Sequence, residues 1–341
     1  MTKKRNITLK ELARELDLSI STISRALNDH PDIKPTTIER VKKLAKERHY
    51  SPNLFAKGFR SRKTNIIGVI VPNIAHYFTS TILKGILEKA EELGYRVIIS
   101  ESKNNEIKQT EMLQTMTQFG VDGVLLALAR KTTSVTDILQ ILNRVPLVMF
   151  DKVSDKIPCT QVIVDDEEAA FNAVEHLINI GKKRIAIIKE TENSFNSEKR
   201  FTGYLKALKE HDLPIDEKII LSTENISLTN GQRLANILIS MKNRPDAIFA
   251  ITDNAAIGAI KALNRFKIKI PEEIAVVGFS NSMNSTIIQP ALTTVDQPGH
   301  KIGKTAVKYL IKEIENPNDE ITIKTISIKT SLIIRDSSFR A

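Results

Sequence analysis

The sequence predicts a small all-α N-terminal domain followed by a larger α/β domain built from two lobes. Charge supports the division, because residues 1–64 hold 16 Lys and Arg against 7 Asp and Glu, a balance of +9 out of the total of +10. Periodicity supports it as well, because the first 50 residues show only helical spacing of apolar positions, and strand-like and helix-like segments alternate from residue 65. A basic domain on a nearly neutral body indicates a polyanionic partner, with a solvated charged surface as the alternative.

The composition is that of an ordinary globular protein, with 41% hydrophobic and 26% charged residues in a chain of 341. The basic start leads into no apolar run, so no secretory signal is predicted. The strongly apolar stretch Ile66–Val71 is too short to cross a bilayer, so we expect no membrane partner. Cys159 is the single cysteine and excludes an intrachain disulfide. These features predict a cytoplasmic protein.

Two short helices joined by a tight turn are predicted near the N-terminus. Thr8 and Glu11 have the spacing of a capping box that opens the first helix. Asp17 tolerates a left-handed turn, and Ser19 is suited to cap the second helix. A third helix is predicted from Pro35, a residue favoured in the first helical turn. The first two helices form a helix-turn-helix unit, although a plain αα-hairpin has the same pattern.

The outward face of the second helix carries small polar groups, one β-branched apolar group and one arginine. Its residues are Ile20, Ser21, Thr22, Ser24, Arg25 and Asn28. Arginine reads guanine, hydroxyl groups contact phosphates, and an apolar group contacts the thymine methyl, so this set is typical of a helix in the major groove.

Residues 51–64 separate the two domains. Ser51–Arg60 has room for about two helical turns, and isolated helices below about 12–15 residues are marginal in water. Gly58 weakens such a helix further. A basic linker without structure is therefore the alternative to a hinge helix.

In residues 65–341, apolar β-branched runs alternate with amphipathic helical segments, which predicts parallel sheets covered on both faces. The pattern restarts near residue 165, so we predict two similar lobes. The first comprises residues of about 65–164 and 295–318, and the second about 165–294 and 319–341. The chain is expected to cross between them near Thr294 and Asn318, and Ile326–Ile334 is expected to return to the second lobe.

Signatures of catalysis are missing from the sequence. It contains no G-x-G-x-x-G, no phosphate loop, no G-x-S-x-G and no paired Cys/His spacing, so we predict no enzyme, no cofactor and no metal site. Ligands of such sheets bind beyond the carboxyl ends of the strands. Polar residues follow predicted strands there: Asp151, Asp253 and Ser280.

The segments Ile7–Ala13 and Leu18–Asn28 closely resemble the N-terminal domain of the lactose/galactose repressor (LacI/GalR) family. The resemblance implies that Ile20, Ser21 and Arg25 read base edges and that Ser24 and Asn28 sit on phosphates. We also count the helix-start residues among the expected DNA contacts: Thr8, Ser19 and Thr22. Asp17 and Lys34 depart from the family pattern, which usually has Gly at the first position and Ser or Thr at the second.

The hinge also resembles that family, in which a helix folds on DNA and wedges a leucine into the minor groove. Asn53, Ala56 and Lys57 fit the family pattern, and Phe59 stands where the leucine is usual. Phe is among the residues that minor-groove proteins insert at kinked steps. Arg60 completes the contacts that we expect from this segment.

The rest of the chain resembles the family's sensor over nearly its full length, including Ile67–Pro72, Ile270–Phe279 and Leu292–Pro298. This implies a type I periplasmic-binding-protein-like fold with a small effector between the lobes. The expected walls are Tyr77 and Phe78. The expected polar contacts are Asp151, Arg200, Thr252, Asp253 and Ser280.

Each of these residues has an alternative. The two aromatics suit an ordinary core, the aspartates suit caps, and Arg200 suits a helix surface. Thr252 and Ser280 stand where the family more often has Asn and Asp, so the pocket is less acidic. This leaves open a different sugar, a phosphorylated sugar, or an anion paired with Arg200.

The resemblance implies a transcription repressor whose affinity for double-stranded operator DNA is controlled by a sugar or sugar derivative. We expect a homodimer, because the chain has no leucine heptad of the kind that makes tetramers in the family. A transport solute-binding protein and an α/β enzyme are the other classes considered, and the basic N-terminal domain and the missing catalytic motifs disfavour them.

Overall fold

The computed structural model describes residues 7–50, 63–130, 132–191, 195–317 and 322–339. The chain divides into two compact units, Met1–Thr64 and Asn65–Ala341. The hinge residues Asn53, Ala56, Lys57, Phe59 and Arg60 lie outside the described residues.

The N-terminal unit holds three helices, α1 (Leu9–Leu16), α2 (Ile20–Leu27) and α3 (Pro35–Glu47). The capping box forms, with the Thr8 backbone N–H donating to Glu11 Oε2 at 2.6 Å. Asp17 takes the left-handed conformation at φ 53° that the turn requires. The first residue of α3 is Pro35, and no side chain caps this helix. The helices enclose a small core made by Leu12, Ala13, Ile23, Ala26, Val41 and Ala45.

The second unit alternates strands with helices, as the sequence predicts. Its first half contains β1 (Ile66–Val71), α4 (Tyr77–Glu92), β2 (Arg96–Glu101), α5 (Glu106–Gln118), β3 (Gly123–Leu126), α6 (Thr136–Leu142), β4 (Leu147–Phe150) and β5 (Gln161–Val164). The next elements are α7 (Asp166–Asn179), β6 (Ile185–Glu190), α8 (Phe195–Glu210), a 3-10 turn (Glu217–Ile219), β7 (Ile220–Thr223), α9 (Leu228–Ser240), β8 (Ala247–Ala250) and α10 (Asp253–Arg265). The last are β9 (Ala275–Phe279), α11 (Asn284–Ile287), β10 (Thr293–Asp296), α12 (Gly299–Glu315), β11 (Thr325–Ile328) and β12 (Ser331–Ile333).

The strands form two six-stranded sheets, one in each lobe. The first sheet is parallel, in the order β11-β5-β4-β3-β1-β2. The second has the order β12-β10-β9-β8-β6-β7, with β12 antiparallel to β10. Alternate residues of the central strands enter different cores, as a sheet buried on both faces requires. In β1, for example, Val69 belongs to the core under α4 and α12, and Ile70 to the core under α5 and α6.

Within the described residues the chain passes between the sheets at three places, after β5, after β10 and after β11. The crossing after β10 lies close to the one predicted near Thr294, whereas the crossing predicted near Asn318 is wrong in position, because β11 still belongs to the first sheet. Val295 still pairs with Phe279 in the second sheet. Ile326 and Ile328 pair in parallel with β5 and pack on the first core, and only Ser331–Ile333 joins the second sheet. Apolar residues recur at similar spacing in β11 and in β12, so the sequence gives no sign that the chain crosses between the lobes after β11.

Among the described residues, helices long and apolar enough to traverse a lipid bilayer do not occur.

Candidate functional site

The outward face of α2 is an accessible polar surface. Ile20 is 42% exposed, and Ser21, Arg25 and Asn28 are also exposed, whereas Thr22 and Ser24 are half-buried. The Ser19 hydroxyl accepts from the Thr22 backbone N–H at 3.1 Å and so caps the helix. The start of α2 therefore presents a methyl-rich side chain beside hydroxyl groups.

Arg25 is only weakly held on this face. Its side chain is 57% exposed, and Nη1 lies 3.8 Å from Oδ2 of the exposed Asp32. Surface ion pairs of this kind contribute little to stability, so the guanidinium can rearrange to bind another acceptor. Asn28 instead donates to the Ser24 carbonyl at 2.7 Å, and the Thr8 hydroxyl donates to Glu11.

A cavity of about 180 Å³ lies between the two lobes, beyond the carboxyl ends of their strands. Five of the seven predicted ligand residues line it: Phe78, Asp151, Arg200, Thr252 and Ser280. Residues that the sequence reasoning missed line it too, among them His76, Arg130, Lys152, Glu190, Asn196 and Gln297. Arg130 and Glu190 carried a usable signal, because each is a charge at the end of an apolar strand run.

Asp151 reaches across the cleft. It follows β4 with φ 59°, and its Oδ1 accepts from Nδ2 of Asn196 at 2.8 Å. Asn196 lies in the first turn of α8 in the other lobe, so this hydrogen bond joins the two walls of the cavity. Asp151 is thus placed to respond to lobe closure.

Arg200 is buried between the cavity and the interior of the second lobe. Its Nε donates to Asp166 Oδ1 at 2.7 Å, and its Nη1 donates to the Ile251 carbonyl at 2.6 Å. The guanidinium carbon lies 3.7 Å from the centroid of the Phe279 ring. Burial raises the pKa of Asp166 to about 6, against the opposing effect of the Arg200 charge. Arg200 is therefore part of the protein's interior as well as of the cavity wall, and the surface alternative is wrong.

Thr252 and Ser280 hold local structure while they line the cavity. Thr252 Oγ1 accepts from the Ala255 backbone N–H at 3.3 Å and caps α10. Ser280 Oγ donates to Gln297 Oε1 at 3.0 Å, and Gln297 lies on the crossing between β10 and α12.

Two predicted ligand residues do not line the cavity. Asp253 is 2% exposed, and its carboxylate accepts from Thr294 Oγ1 and from the Ser282 backbone N–H, so it ties loops of the second lobe together. Tyr77, the first residue of α4, is 40% exposed. Successive helical residues point in directions about 100° apart, so Phe78 and Tyr77 do not face the same cavity.

His76, just before α4, contributes a further polar group to the cavity wall. Burial lowers its pKa, although Asp151 opposes the effect. The described residues contain no group of three or more His, Cys, Asp and Glu side chains able to hold a metal ion.

Comparison with protein families matches both units. The family described as "Bacterial regulatory proteins, lacI family" matches residues 8–53. The family described as "Periplasmic binding proteins and sugar binding domain of LacI family" matches residues 64–336. The predicted fold class is confirmed by these matches together with the structure.

Individual proteins show the same likeness. The chain is 33% identical to catabolite control protein A of Priestia megaterium over 308 residues, 90% of this chain and 92% of that protein. It is similar to the structure of a LacI family transcriptional regulator from Enterococcus faecium with bound ribose, with a TM-score of 0.70, 27% identity, and 80% and 98% of the two chains covered.

A lac repressor dimer bound to operator and the anti-inducer ONPF has the same fold, with a TM-score of 0.87, 23% identity, and 98% and 100% of the two chains covered. The characterised relatives are transcription regulators and not enzymes. The chain belongs to the LacI family of DNA-binding transcription regulators.

Proposed function

We propose that this protein is a cytoplasmic, homodimeric transcription repressor whose affinity for operator DNA is controlled by a carbohydrate effector in the interlobe cavity. The observation that carries the proposal is the cavity itself, because polar side chains of both lobes converge in it at the strand ends. A ligand that contacts both lobes changes the balance between open and closed forms.

The unsatisfied groups of the cavity favour a hydroxyl-bearing ligand. Asn196 Oδ1 and Gln297 Nε2 are buried and have no hydrogen-bond partner among the described residues. One is an acceptor and the other a donor, and a hydroxyl group can serve both, whereas a phosphate or carboxylate oxygen only accepts. Buried polar groups without partners are costly, so a ligand that supplies partners gains affinity.

The size of the cavity favours a single sugar ring. A water molecule needs roughly 10–15 Å³ of such volume, so the cavity of about 180 Å³ has room for roughly 12–18 water-sized groups. A hexose has about a dozen non-hydrogen atoms and a disaccharide about twice that number. The ribose in the structure of the Enterococcus faecium regulator supports the same class of ligand.

The DNA contacts are proposed to come from α2 and the hinge. Ile20, Ser21 and Arg25 are exposed on one face, as base contacts require. Phe59 and its neighbours lie outside the described residues, so their entry into the minor groove rests on the resemblance of the hinge sequence alone.

A homodimer is proposed because apolar side chains are exposed on both lobes. They include Ile74, Tyr77 and Leu87 at α4, and Met283 and Ile287 at α11. Apolar side chains of this kind are buried when two copies associate, and a two-fold axis through them gives a closed dimer.

The test combines DNA and ligand titrations. Operator DNA is selected from a random library by the full-length protein, and its affinity is measured by fluorescence anisotropy at one salt concentration, with and without each member of a monosaccharide panel. We expect one or more monosaccharides to change the affinity. Asp151→Asn is expected to abolish the change and keep the affinity measured without sugar, and Lys206→Ala, on the outer surface of α8, is the matched control.

If the protein binds the selected DNA no better than random DNA, the DNA-binding part of the proposal is wrong. If a monosaccharide changes the operator affinity of Asp151→Asn as much as that of the parent, the proposed ligand site is wrong.

A further inference from the structure

Arg130 joins the two lobes on one side of the cavity. It follows β3 in the first lobe, and its Nη2 lies 2.7 Å from Glu190 Oε1 in the second. Its Nη1 also donates to the backbone carbonyl of Glu224. The Arg130 and Glu190 side chains are only 17% and 9% exposed. One guanidinium thus holds two separate acceptors of the opposite lobe.

The position of this contact in the sheets places it at the open side of the cleft. Glu190 ends β6 and Glu224 follows β7, at one edge of the second sheet. The crossings after β10 and β11 involve β10 and β12, at the other edge, and the crossing after β5 enters α7, which packs against β10 and β12. Neighbouring strands lie about 4.8 Å apart, so β6 is roughly 14 Å and β7 roughly 19 Å from β10. A contact so far from the crossings has the long lever arm needed to resist opening of the lobes.

We infer that Arg130 and Glu190 form a clasp that keeps the lobes closed in the absence of ligand and that must open for ligand to enter. The inference rests on the proposed function in taking the cleft as the ligand site. A clasp of this kind sets the ligand-free balance between open and closed lobes. A ligand then shifts that balance only by its additional preference for the closed form.

The chemistry of the contact explains why arginine is needed. Its planar guanidinium presents several donors in fixed directions, whereas a lysine ammonium is a single point charge. In Arg130→Ala the Glu190 carboxylate loses its cation in a largely buried place, so opening of the lobes, which returns it to water, is favoured. Arg130→Lys retains one of the two contacts and is expected to open the lobes less.

The test measures the distance between the lobes without ligand or DNA. Spin labels are attached to Lys108→Cys on α5 and Lys218→Cys before β7, both exposed positions in different lobes. The native Cys159 is buried, and burial raises its pKa to about 12, so it does not compete for the label. Labelled full-length chain is mixed with excess unlabelled chain, so that each dimer carries one labelled subunit, and distances are measured by double electron–electron resonance.

We expect a predominantly short distance in the parent and an open-to-closed ratio about tenfold higher in Arg130→Ala, which corresponds to about 1.4 kcal/mol. The charge-swapped pair Arg130→Glu with Glu190→Arg is expected to restore the short distance. Lys199→Ala is the matched control, because the Lys199–Glu167 contact of 3.7 Å lies within the second lobe. Circular dichroism establishes that each variant is folded.

An unchanged distance distribution in folded Arg130→Ala would overturn the clasp. So would a charge-swapped pair that stays as open as the single variant. Neither result depends on sugar or operator binding, so the clasp and the proposed function fail independently.

Discussion

Arg200 and Asp166 form a buried ion pair in which Nε and Oδ1 are 2.7 Å apart and the side chains are 7% and 1% exposed. Asp166 is the first residue of α7, directly after the chain leaves the first sheet, and Arg200 lies on α8. The pair therefore links the start of the second lobe to the cavity wall. The second carboxylate oxygen of Asp166, Oδ2, is buried without a hydrogen-bond partner among the described residues.

Arg200→Ala is expected to lower the free energy of unfolding by about 3–5 kcal/mol, because removing one partner leaves an uncompensated buried charge. The double variant Arg200→Ala with Asp166→Asn is expected to recover part of that loss. Urea unfolding at pH 7.5 of the parent, both single variants and the double variant measures the coupling. Equal stabilities of the double variant and Arg200→Ala would show that the Asp166 charge is not the cause.

Gly203→Ala is expected to destabilise the second lobe. A methyl group at Gly203 on α8 would lie 2.1 Å from the Glu167 carbonyl oxygen on α7 and 2.9 Å from Ala170 Cβ, so the two helices have to separate. Overpacking of this kind costs about 1–3 kcal/mol. Thermal unfolding measures the loss.

Gly68→Ala is the matched control for this prediction. Its added methyl meets the flexible Met116 side chain at 3.0 Å instead of backbone, and a methionine can move aside. We expect a smaller loss of stability at Gly68 than at Gly203. The reverse order would contradict the close approach of α7 and α8.

Much of the fold was predictable from local patterns. Thr8 and Ser19 cap their helices and Pro35 is the first residue of α3, as predicted, because helix starts depend on neighbouring residues. The order of the sheets and the chain crossing after Ile328 depend on contacts between distant segments. The spacing of apolar residues along the chain gives no information on which strands are neighbours, so it could not predict that β11 joins the first sheet beside β5.

For the candidate site, the sequence indicated which residues lie at the strand ends but not which of their side chains face the cavity. Strand ends indicated where Asp151 and Ser280 lie, because parallel strands align their carboxyl ends. The direction of a side chain there depends on partners far along the chain. Asp253 turns inward because Thr294 and Ser282 offer donors, and the sequence shows no sign of that pairing.

His176 predicts a loss of stability in acid. Its Nε2 lies 2.7 Å from Ser338 Oγ, and burial lowers its pKa from 6.5. A lowered pKa means that the folded state prefers the neutral ring. The stability from this group is therefore present above pH 6.5 and is lost as the pH falls through the folded pKa.

His176→Gln tests this, because glutamine keeps a polar group near the Nε2 position and does not titrate. We expect the parent to lose stability relative to the variant between pH 8 and pH 5, measured by urea unfolding. His76, whose pKa is also lowered by burial, is present in both proteins and cancels in the difference. A constant difference across the pH range would exclude His176 as a source of acid sensitivity.

The last prediction concerns Arg25 on the exposed face of α2. Arg25→Ala is expected to weaken binding to selected operator DNA by about 1–3 kcal/mol and to relax the base preference at one position in each half-site, because a bidentate contact to guanine is lost. Competition of the variant against a library of single-base operator changes measures both effects. Lys46→Ala, which removes an exposed charge from α3, is the control and is expected to alter the affinity for all sequences by one common factor. If Arg25→Ala also weakens every sequence equally, Arg25 contacts phosphate, and base reading must come from Ile20 and Ser21 at the start of the helix.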